Sequence, residues 1–159
     1  DNATRLDWEK VCPKDQDSEI YLLSNPPYVG AKRQSGKQKK DMAHVFKGYK
    51  TYKNLDYIAC WFFLGSKYIS GFNAQLGFVT TNSIAQGDQV DLLWQHLKGF
   101  NLEIGYAQTS FKWSNNAKHN AAVICVVISL RNPSSKPKYI YHTHRQEVKN
   151  ISPYLSSGP

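Results

Sequence analysis

Cysteine is scarce in this chain of 159 residues, and its three cysteines, Cys12, Cys60 and Cys125, lie far apart without a CxxC pair. This spacing argues against a zinc or dithiol redox site, and we expect no metal. The longest apolar stretch, residues 57–69, is interrupted by Lys67 and is too short to span a bilayer. Residues 1–5 lack the apolar core of a signal peptide. We therefore expect a cytoplasmic protein without a membrane partner.

Acidic residues are also few, because 12 Asp and Glu stand against 20 Lys and Arg, which gives a formal net charge of +8 and a pI near 9.4. This excess suits a polyanion such as nucleic acid, although many basic proteins bind none. With 41% hydrophobic and 13% aromatic residues, the chain can bury one sizeable core. Residues 1–159 are therefore predicted to form a single domain.

Strand-like and helix-like segments alternate along the first two thirds of the chain. The hydrophobic pattern predicts a buried strand at residues 20–23, a helix at 55–69, a strand at 76–80 and a helix at 86–97. Such alternation is typical of an α/β sheet that is covered by helices.

The last third differs, because two apolar strand-like runs follow one another. Residues 102–107 and 121–128 form these runs, and the loop between them, residues 109–120, is too short for a crossover helix. The two strands are therefore predicted to pair antiparallel. Residues 138–142 are a candidate for one further strand.

Residues 31–53 are strongly basic and carry eight Lys or Arg against the single acid Asp41. We interpret this segment as a basic mobile loop or a weakly ordered lid. It is either a solvated surface or a binding element for a phosphate backbone. The candidates for contact with a DNA backbone are Lys32, Arg33, Lys37, Lys39 and Lys40.

The most specific chemistry lies in Asn25-Pro26-Pro27-Tyr28, which directly follows the first predicted strand. The amino group of adenine is a poor nucleophile because its lone pair is delocalised into the ring. Two acceptors aimed at its N–H bonds would localise that pair, and the Asn25 side-chain oxygen and the Pro26 carbonyl could supply them. Pro27 would hold that carbonyl in place, and Tyr28 would stack on the base. A plain Pro-Pro turn is the alternative reading.

A base inside a duplex cannot reach such a pocket unless it is flipped out, and a flipped base needs aromatic surfaces to replace its lost stacking. Phe111 and Trp113, in the predicted loop at residues 109–120, offer such surfaces. Both could equally be packing aromatics of a hairpin. No catalytic triad is needed if a sulfonium methyl donor is held in line with the amine, because proximity and orientation then carry much of the catalysis.

The order of these elements resembles that of the gamma-type DNA amino-methyltransferases. The amino-acid sequence of several segments resembles that of the MmeI-like restriction-modification proteins. The resemblance covers nearly the whole chain. It is carried by residues 24–30, 55–61, 79–87 and 109–115, followed by 121–123. The first of these segments, which contains the Asn-Pro-Pro-Tyr tetrapeptide, is the most specific.

The resemblance implies an S-adenosylmethionine-dependent DNA adenine-N6 methyltransferase. It implies that Asn25, Pro26, Pro27 and Tyr28 form the target-base pocket and that Phe111, rather than Trp113, stacks on the flipped adenine. It also implies that Asn25 lies beside the methyl donor. The family's acidic contact to the donor's adenine would fall near Asn2.

The family's glycine-rich donor-binding turn does not occur in this sequence. We therefore expect the C-terminal part of a methyltransferase catalytic domain, which is inactive alone. The expected fold is a partial Rossmann-like sheet with two helices on one face and an antiparallel strand pair at its end. An unpaired edge at the strand of residues 20–23 would favour a homodimer.

Two alternatives remain open. The same tetrapeptide could serve the methylation of another planar amine, such as cytosine N4 or a protein glutamine. The domain could also be a non-catalytic nucleic-acid-binding module. The basic segment favours nucleic acid in either case.

Overall fold

The computed structural model describes residues 2–113 and 123–158. Its helices are α1 (Trp8–Val11), α2 (Gly36–Val45), α3 (Ala59–Ile69) and α4 (Asp88–Leu97), joined in places by short 3-10 turns. Its strands are β1 (Ile20–Ser24), β2 (Ala74–Thr81), β3 (Glu103–Trp113), β4 (Val123–Arg131), β5 (Lys138–Tyr141), β6 (Arg145–Val148), β7 (Asn150–Ile151) and β8 (Ser157–Gly158).

Six strands form a mixed sheet in the order β1-β2-β4-β3-β5-β6. β1 and β2 run parallel, as do β3 and β5, whereas β4 runs antiparallel to both β2 and β3. The α/β class and the antiparallel pair predicted from the sequence are therefore confirmed. The parallel ends of β1 and β2 share one carboxyl edge, which is where open α/β sheets bind their ligands.

One face of the sheet is buried under helices. Leu76 and Phe78 of β2 are buried and pair with Leu130 and Ile128 of β4, which are buried on the same face. Helix α3 packs onto this face, and α2 and α4 both contact α3. A Cβ atom at Gly65 of α3 would lie 2.8 Å from a methyl group of Leu76, so glycine permits this close approach of helix and sheet.

The interpretation of residues 31–53 as a loop is wrong for its central part. The structure places helix α2 there, and a capping box between Ser35 and Gln38 starts it. Met42, on α2, and Phe46, at its C-terminal end, are buried in the core and anchor the helix. Lysines on the exposed side of the helix conceal these residues and the buried Val45 in the sequence, because three apolar residues at one end of the helix are too few for a clear periodic signal.

The placement of Phe111 and Trp113 in a loop is also wrong, because β3 continues to Trp113. A bulge between Gln108 and Phe111 interrupts the pairing with β4, and the ladder resumes at Phe111 opposite Cys125. The polar residues at this bulge ended the strand prediction too early. The rest of the predicted loop, together with Ala121 and Ala122, lies outside the described residues.

β1 lies at one edge of the described sheet, and its outward face is uncovered. Tyr21 is 54% exposed and Leu23 is 79% exposed on that face. The polar hairpin strand β6, at the opposite edge, was not predicted, because Arg145–Val148 shows no apolar alternation. Across the two described ranges, no helix combines the length and apolar character that a membrane crossing requires.

Candidate active site at the carboxyl end of β1

The tetrapeptide of residues 25–28 begins directly after β1, at the carboxyl edge shared with β2. Asn25 is exposed there, Pro26 is buried, Pro27 is exposed and Tyr28 is half-buried. The buried proline fixes the turn against the protein, because its φ angle is restricted and its ring is packed. The structure therefore leaves the Asn25 amide accessible at the end of a rigid strand.

Tyr28 packs against the hydrophobic core and lies close to Cys125 of β4. Burial raises the pKa of both the Tyr28 phenol and the Cys125 thiol. Phe111 lies opposite Cys125 in the β3–β4 ladder and therefore projects to the same face of the sheet. Phe111 and Trp113 lie close together, with ring centroids 6.4 Å apart. The structure thus brings Tyr28 and both predicted stacking aromatics to one face.

A cleft opens beside Tyr28. Its walls include Lys32, Arg33 and Asp56, together with Thr81 at the end of β2 and Ser83 just after it. Asn25 and Phe111 are not among the described residues that line it. The cleft therefore continues from the tetrapeptide towards the basic segment, and it does not extend across to β3.

A second cleft lies on the other side of the tetrapeptide, where its walls include Asn2, Pro27, Tyr57, Trp61 and Lys37. The ring of Trp61 meets that of Tyr57 edge-on at 5.1 Å. An aromatic wall beside a proline of the tetrapeptide fits a planar heterocycle.

Asp41 forms the floor of this second cleft and is the centre of a hydrogen-bond cluster. It accepts hydrogen bonds from Asn2, Arg5 and the Tyr57 hydroxyl, each at 2.9 Å. Burial alone would raise the pKa of Asp41, but the bonds from Tyr57, Arg5 and Asn2 outweigh it and lower the pKa. Burial and the bond to Asp41 raise the pKa of Tyr57 to about 12.

The predicted donor contact, Asn2, is largely occupied within this cluster. Its side-chain oxygen accepts from both the backbone and the hydroxyl of Thr4, and its side-chain nitrogen donates to Asp41. A primary amide has two N–H groups and two oxygen lone pairs, so only one N–H of Asn2 is left for another molecule. A role of Asn2 in donor binding stays a prediction.

The five predicted DNA-backbone residues are all exposed, and four of them line clefts. Lys32 and Arg33 line the cleft beside Tyr28, whereas Lys37 lines the cleft that contains Pro27. Lys39 lines a third cleft, which it shares with Lys32 and Lys53. None of the five forms a salt bridge with another of the described residues.

Asp41, Asp56, Tyr57 and Trp61 were not identified as site residues from the sequence. The segment of residues 55–61 was noted only as part of a resemblance, although an Asp just before a helix is a recognisable N-terminal signal. Within residues 2–113 and 123–158, no group of three or more His, Cys, Asp or Glu could hold a metal ion.

A mixed α/β sheet that carries Asn-Pro-Pro-Tyr at the carboxyl edge of a parallel strand defines a methyltransferase-like domain. The chain belongs to the MmeI DNA-methyltransferase domain family, whose model matches residues 1–142.

The chain is similar to part of two larger relatives. It is 46% identical over 159 residues to DNA methyltransferase A of Bacillus subtilis (strain 168), and this match covers 99% of the chain and 18% of that protein. It is 37% identical to the Type IIL restriction-modification enzyme MmeI, solved in complex with DNA, with a TM-score of 0.90. That match covers 100% of the chain and 22% of the MmeI chain. The chain thus spans about a fifth of each relative.

Proposed function

We propose that the full-length protein transfers a methyl group from S-adenosylmethionine to N6 of an adenine that is flipped out of DNA. The observation that carries this proposal is the placement of Asn25, which is exposed directly after β1, beside the buried Pro26. An accessible amide oxygen and a rigid neighbouring carbonyl meet the need of an aromatic amine for two acceptors.

The residues of this chain have separate roles in the proposed reaction. Asn25 and the Pro26 carbonyl orient the target amine, and Tyr28 and Phe111 receive the base. Because their positions are set before the substrate arrives, little ordering remains to be done during the reaction. In the balanced reaction, the donor leaves as S-adenosylhomocysteine and the methylated amine releases one proton to water. No described side chain needs to form a covalent intermediate.

The methyl donor fits the chemistry of the second cleft in part. Pro27, Tyr57 and Trp61 would hold its planar ring, and Asn25 would lie between donor and target. When bound, S-adenosylmethionine supplies a methyl group activated by a sulfonium. Since the chain lacks the glycine-rich donor turn, we propose that this chain alone is inactive.

DNA is the proposed macromolecular partner. Lys32, Arg33, Lys37, Lys39 and Lys40 are exposed and lie on the segment that follows the tetrapeptide. Cationic side chains without acidic partners are available to neutralise phosphates. The relative MmeI was solved with DNA, which agrees with this partner.

Substitution of Asn25 tests the proposal. In the full-length protein, Asn25→Ala should abolish transfer of labelled methyl groups to DNA while donor binding persists. Asn73→Ala is a matched control, because Asn73 is exposed just before β2, at the amino end of the β1–β2 pair and away from the tetrapeptide. Mass spectrometry of the digested DNA should find N6-methyladenine. The appearance of N4-methylcytosine, or of methylated protein instead, would overturn the adenine assignment, and full activity of Asn25→Ala would overturn the mechanism.

A further inference from the structure

Val29 follows the tetrapeptide, and both of its backbone groups are held by distant parts of the chain. Its N–H donates to Oδ1 of Asp56 at 2.9 Å. Its carbonyl accepts from the N–H of Tyr57 at 3.0 Å and from the side-chain amide of Gln34 at 3.1 Å. The chain leaving Tyr28 is therefore fixed on both sides of one residue.

Asp56 is itself firmly held. It is 8% exposed, and its Oδ1 also accepts from the N–H of Ile58 at 3.0 Å. Its own N–H donates to the side-chain oxygen of Gln89 at 3.0 Å, and Gln89 donates in turn to the carbonyl of Asn54. Segments before α3 and on α4 thus brace the carboxylate that meets Val29.

The bond from Val29 exceeds what the start of helix α3 requires. A side-chain oxygen bonded to the N–H of Ile58, two residues further on, would be sufficient to close the local turn before α3, and serine can also do this. The bond to Val29 instead joins residues 27 positions apart, across the wall of the cleft beside Tyr28. Burial of a carboxylate costs free energy unless hydrogen bonds compensate for it, so Asp56 depends on both N–H donors, those of Val29 and Ile58.

The bond restricts the tetrapeptide through simple geometry. The Val29 N–H lies in the same planar peptide unit as the Tyr28 carbonyl, so fixing it fixes the exit of Tyr28. At the other end, Pro26 and Pro27 have restricted φ angles, and Asn25 follows the hydrogen-bonded strand β1. Few free torsions remain between the two anchored ends.

We propose that Asp56 is a positioning residue for methyl transfer, which holds Val29 and thereby sets Tyr28 and the Pro26 carbonyl for the target amine. This inference rests on the function proposed above. Asp56 acts through the backbone and does not touch the reacting atoms. Its requirement is for an oxygen that can accept two N–H bonds at once, and negative charge is not required.

Three variants of the full-length protein separate these requirements. Asp56→Asn keeps an oxygen that can accept from both N–H groups, so the single-turnover methylation rate should stay within about threefold of wild type. Asp56→Ser keeps an oxygen that can accept a hydrogen bond from the N–H of Ile58, but the serine side chain is too short to reach the N–H of Val29 as well. Its rate should fall about 10- to 100-fold, because small misplacements of reacting groups are costly. Asp91→Ala, which removes an exposed carboxylate on α4, is the control.

Two further readouts exclude a merely structural effect. For Asp56→Ser, the unpaired Val29 N–H should lower the melting temperature, but the dissociation constant of S-adenosylmethionine should remain that of wild type, and the loss of transfer rate should persist well below the melting temperature. A wild-type rate in Asp56→Ser would overturn the positioning role. An equal loss in Asp56→Asn and Asp56→Ser would also overturn it, since charge rather than geometry would then matter.

The same experiment distinguishes this inference from the proposed function. If Asn25→Ala is inactive while Asp56→Ser is fully active, only the role of Asp56 fails. If Asn25→Ala is fully active, the function of the tetrapeptide fails, whatever Asp56 does.

Discussion

Phe111 and Cys125 face each other across the β3–β4 ladder, immediately after a bulge in β3. Cys125 also lies close to Tyr28. The pairing therefore sets the distance between the tetrapeptide and the aromatic that is expected to receive a flipped base. The bulge matters because it re-aims the end of β3 relative to its start.

Removal of the Phe111 ring should weaken capture of the target base. Stacking of a base on an aromatic ring contributes about 1–3 kcal/mol, so Phe111→Ala should lose about 5- to 150-fold in productive DNA binding by the full-length protein. Phe111→Trp should retain most of it. The fluorescence of 2-aminopurine at the target position reports flipping. An unchanged signal in Phe111→Ala would contradict the stacking role.

Trp113 should matter less, because its side chain is 41% exposed and lies two register positions beyond Phe111. Trp113→Ala should therefore change the same 2-aminopurine signal by a smaller factor than Phe111→Ala. The reverse order would assign the stacking role to Trp113.

Lys32 and Lys39 should each contribute to the salt dependence of DNA binding. A lysine that neutralises one phosphate adds roughly 0.9 to the slope of log affinity against log salt concentration. Lys32→Gln with Lys39→Gln should lower that slope by about 1–2 in total if both meet phosphates. Lys98→Gln, just beyond the last residue of α4, should leave it unchanged. Titration by fluorescence anisotropy at several salt concentrations measures the slope.

Gly65→Ala should destabilise the fold, because the new methyl group would meet Leu76 and Phe78 in the core. Overpacking costs about 1–3 kcal/mol, whereas the gain in helix propensity is about 1 kcal/mol. The net effect should lower the midpoint of urea unfolding. Gly36→Ala is the control, because a Cβ there meets no heavy atom within 4 Å. Equal midpoints for the two variants would show that α3 can shift away from the sheet.

His96 should make the fold less stable as the pH falls. Burial lowers the pKa of His96, and its Nε2 has no hydrogen-bond partner among the described residues. The unfolded state therefore binds the proton more readily, so stability is lost as the pH falls below about 6.5, the ordinary histidine pKa. His96→Phe should flatten this slope in thermal unfolding between about pH 7 and pH 5. His44→Gln, on the exposed side of α2, should not.

The exposed edge strand β1 should cause this chain, when isolated, to self-associate. Leu23 is 79% exposed there, and uncovered edges pair readily with a second copy. Leu23→Lys should lower the mass measured by light scattering at a given concentration. Val11→Lys is the control and should leave this mass unchanged, because it removes an apolar side chain that is 66% exposed but lies off the sheet. A wild-type chain that stays monomeric would contradict the prediction.

The sequence predicts the parts of this fold whose burial follows a regular period. β2 alternates buried and partly exposed residues, and α3 is apolar on most sides, so both were recognisable. Helix α2 was not, because Met42 and Phe46 are its clearest apolar anchors among lysines. The position of the tetrapeptide at the end of β1 was also predictable from the strand that precedes it.

The contacts around the tetrapeptide could not be predicted in the same way. The bond between Val29 and Asp56 joins distant segments, and nothing in either segment indicates the other. The cleft beside Pro27 depends on how Lys37 of α2 and Trp61 of α3 come to lie beside the turn. Such facts belong to tertiary structure, and a local pattern does not contain them.

Because α2 is a helix, the direction in which each of its lysines projects from the helix axis is fixed. Neighbouring positions are about 100° apart, so Lys37 and Lys39 point in very different directions. Lys37 accordingly lies at the cleft that holds Pro27, and Lys39 at the cleft that holds Lys53. A nucleic-acid strand bound along one side of α2 leaves the lysines on the other side unoccupied. The helix can therefore bind two anions at once.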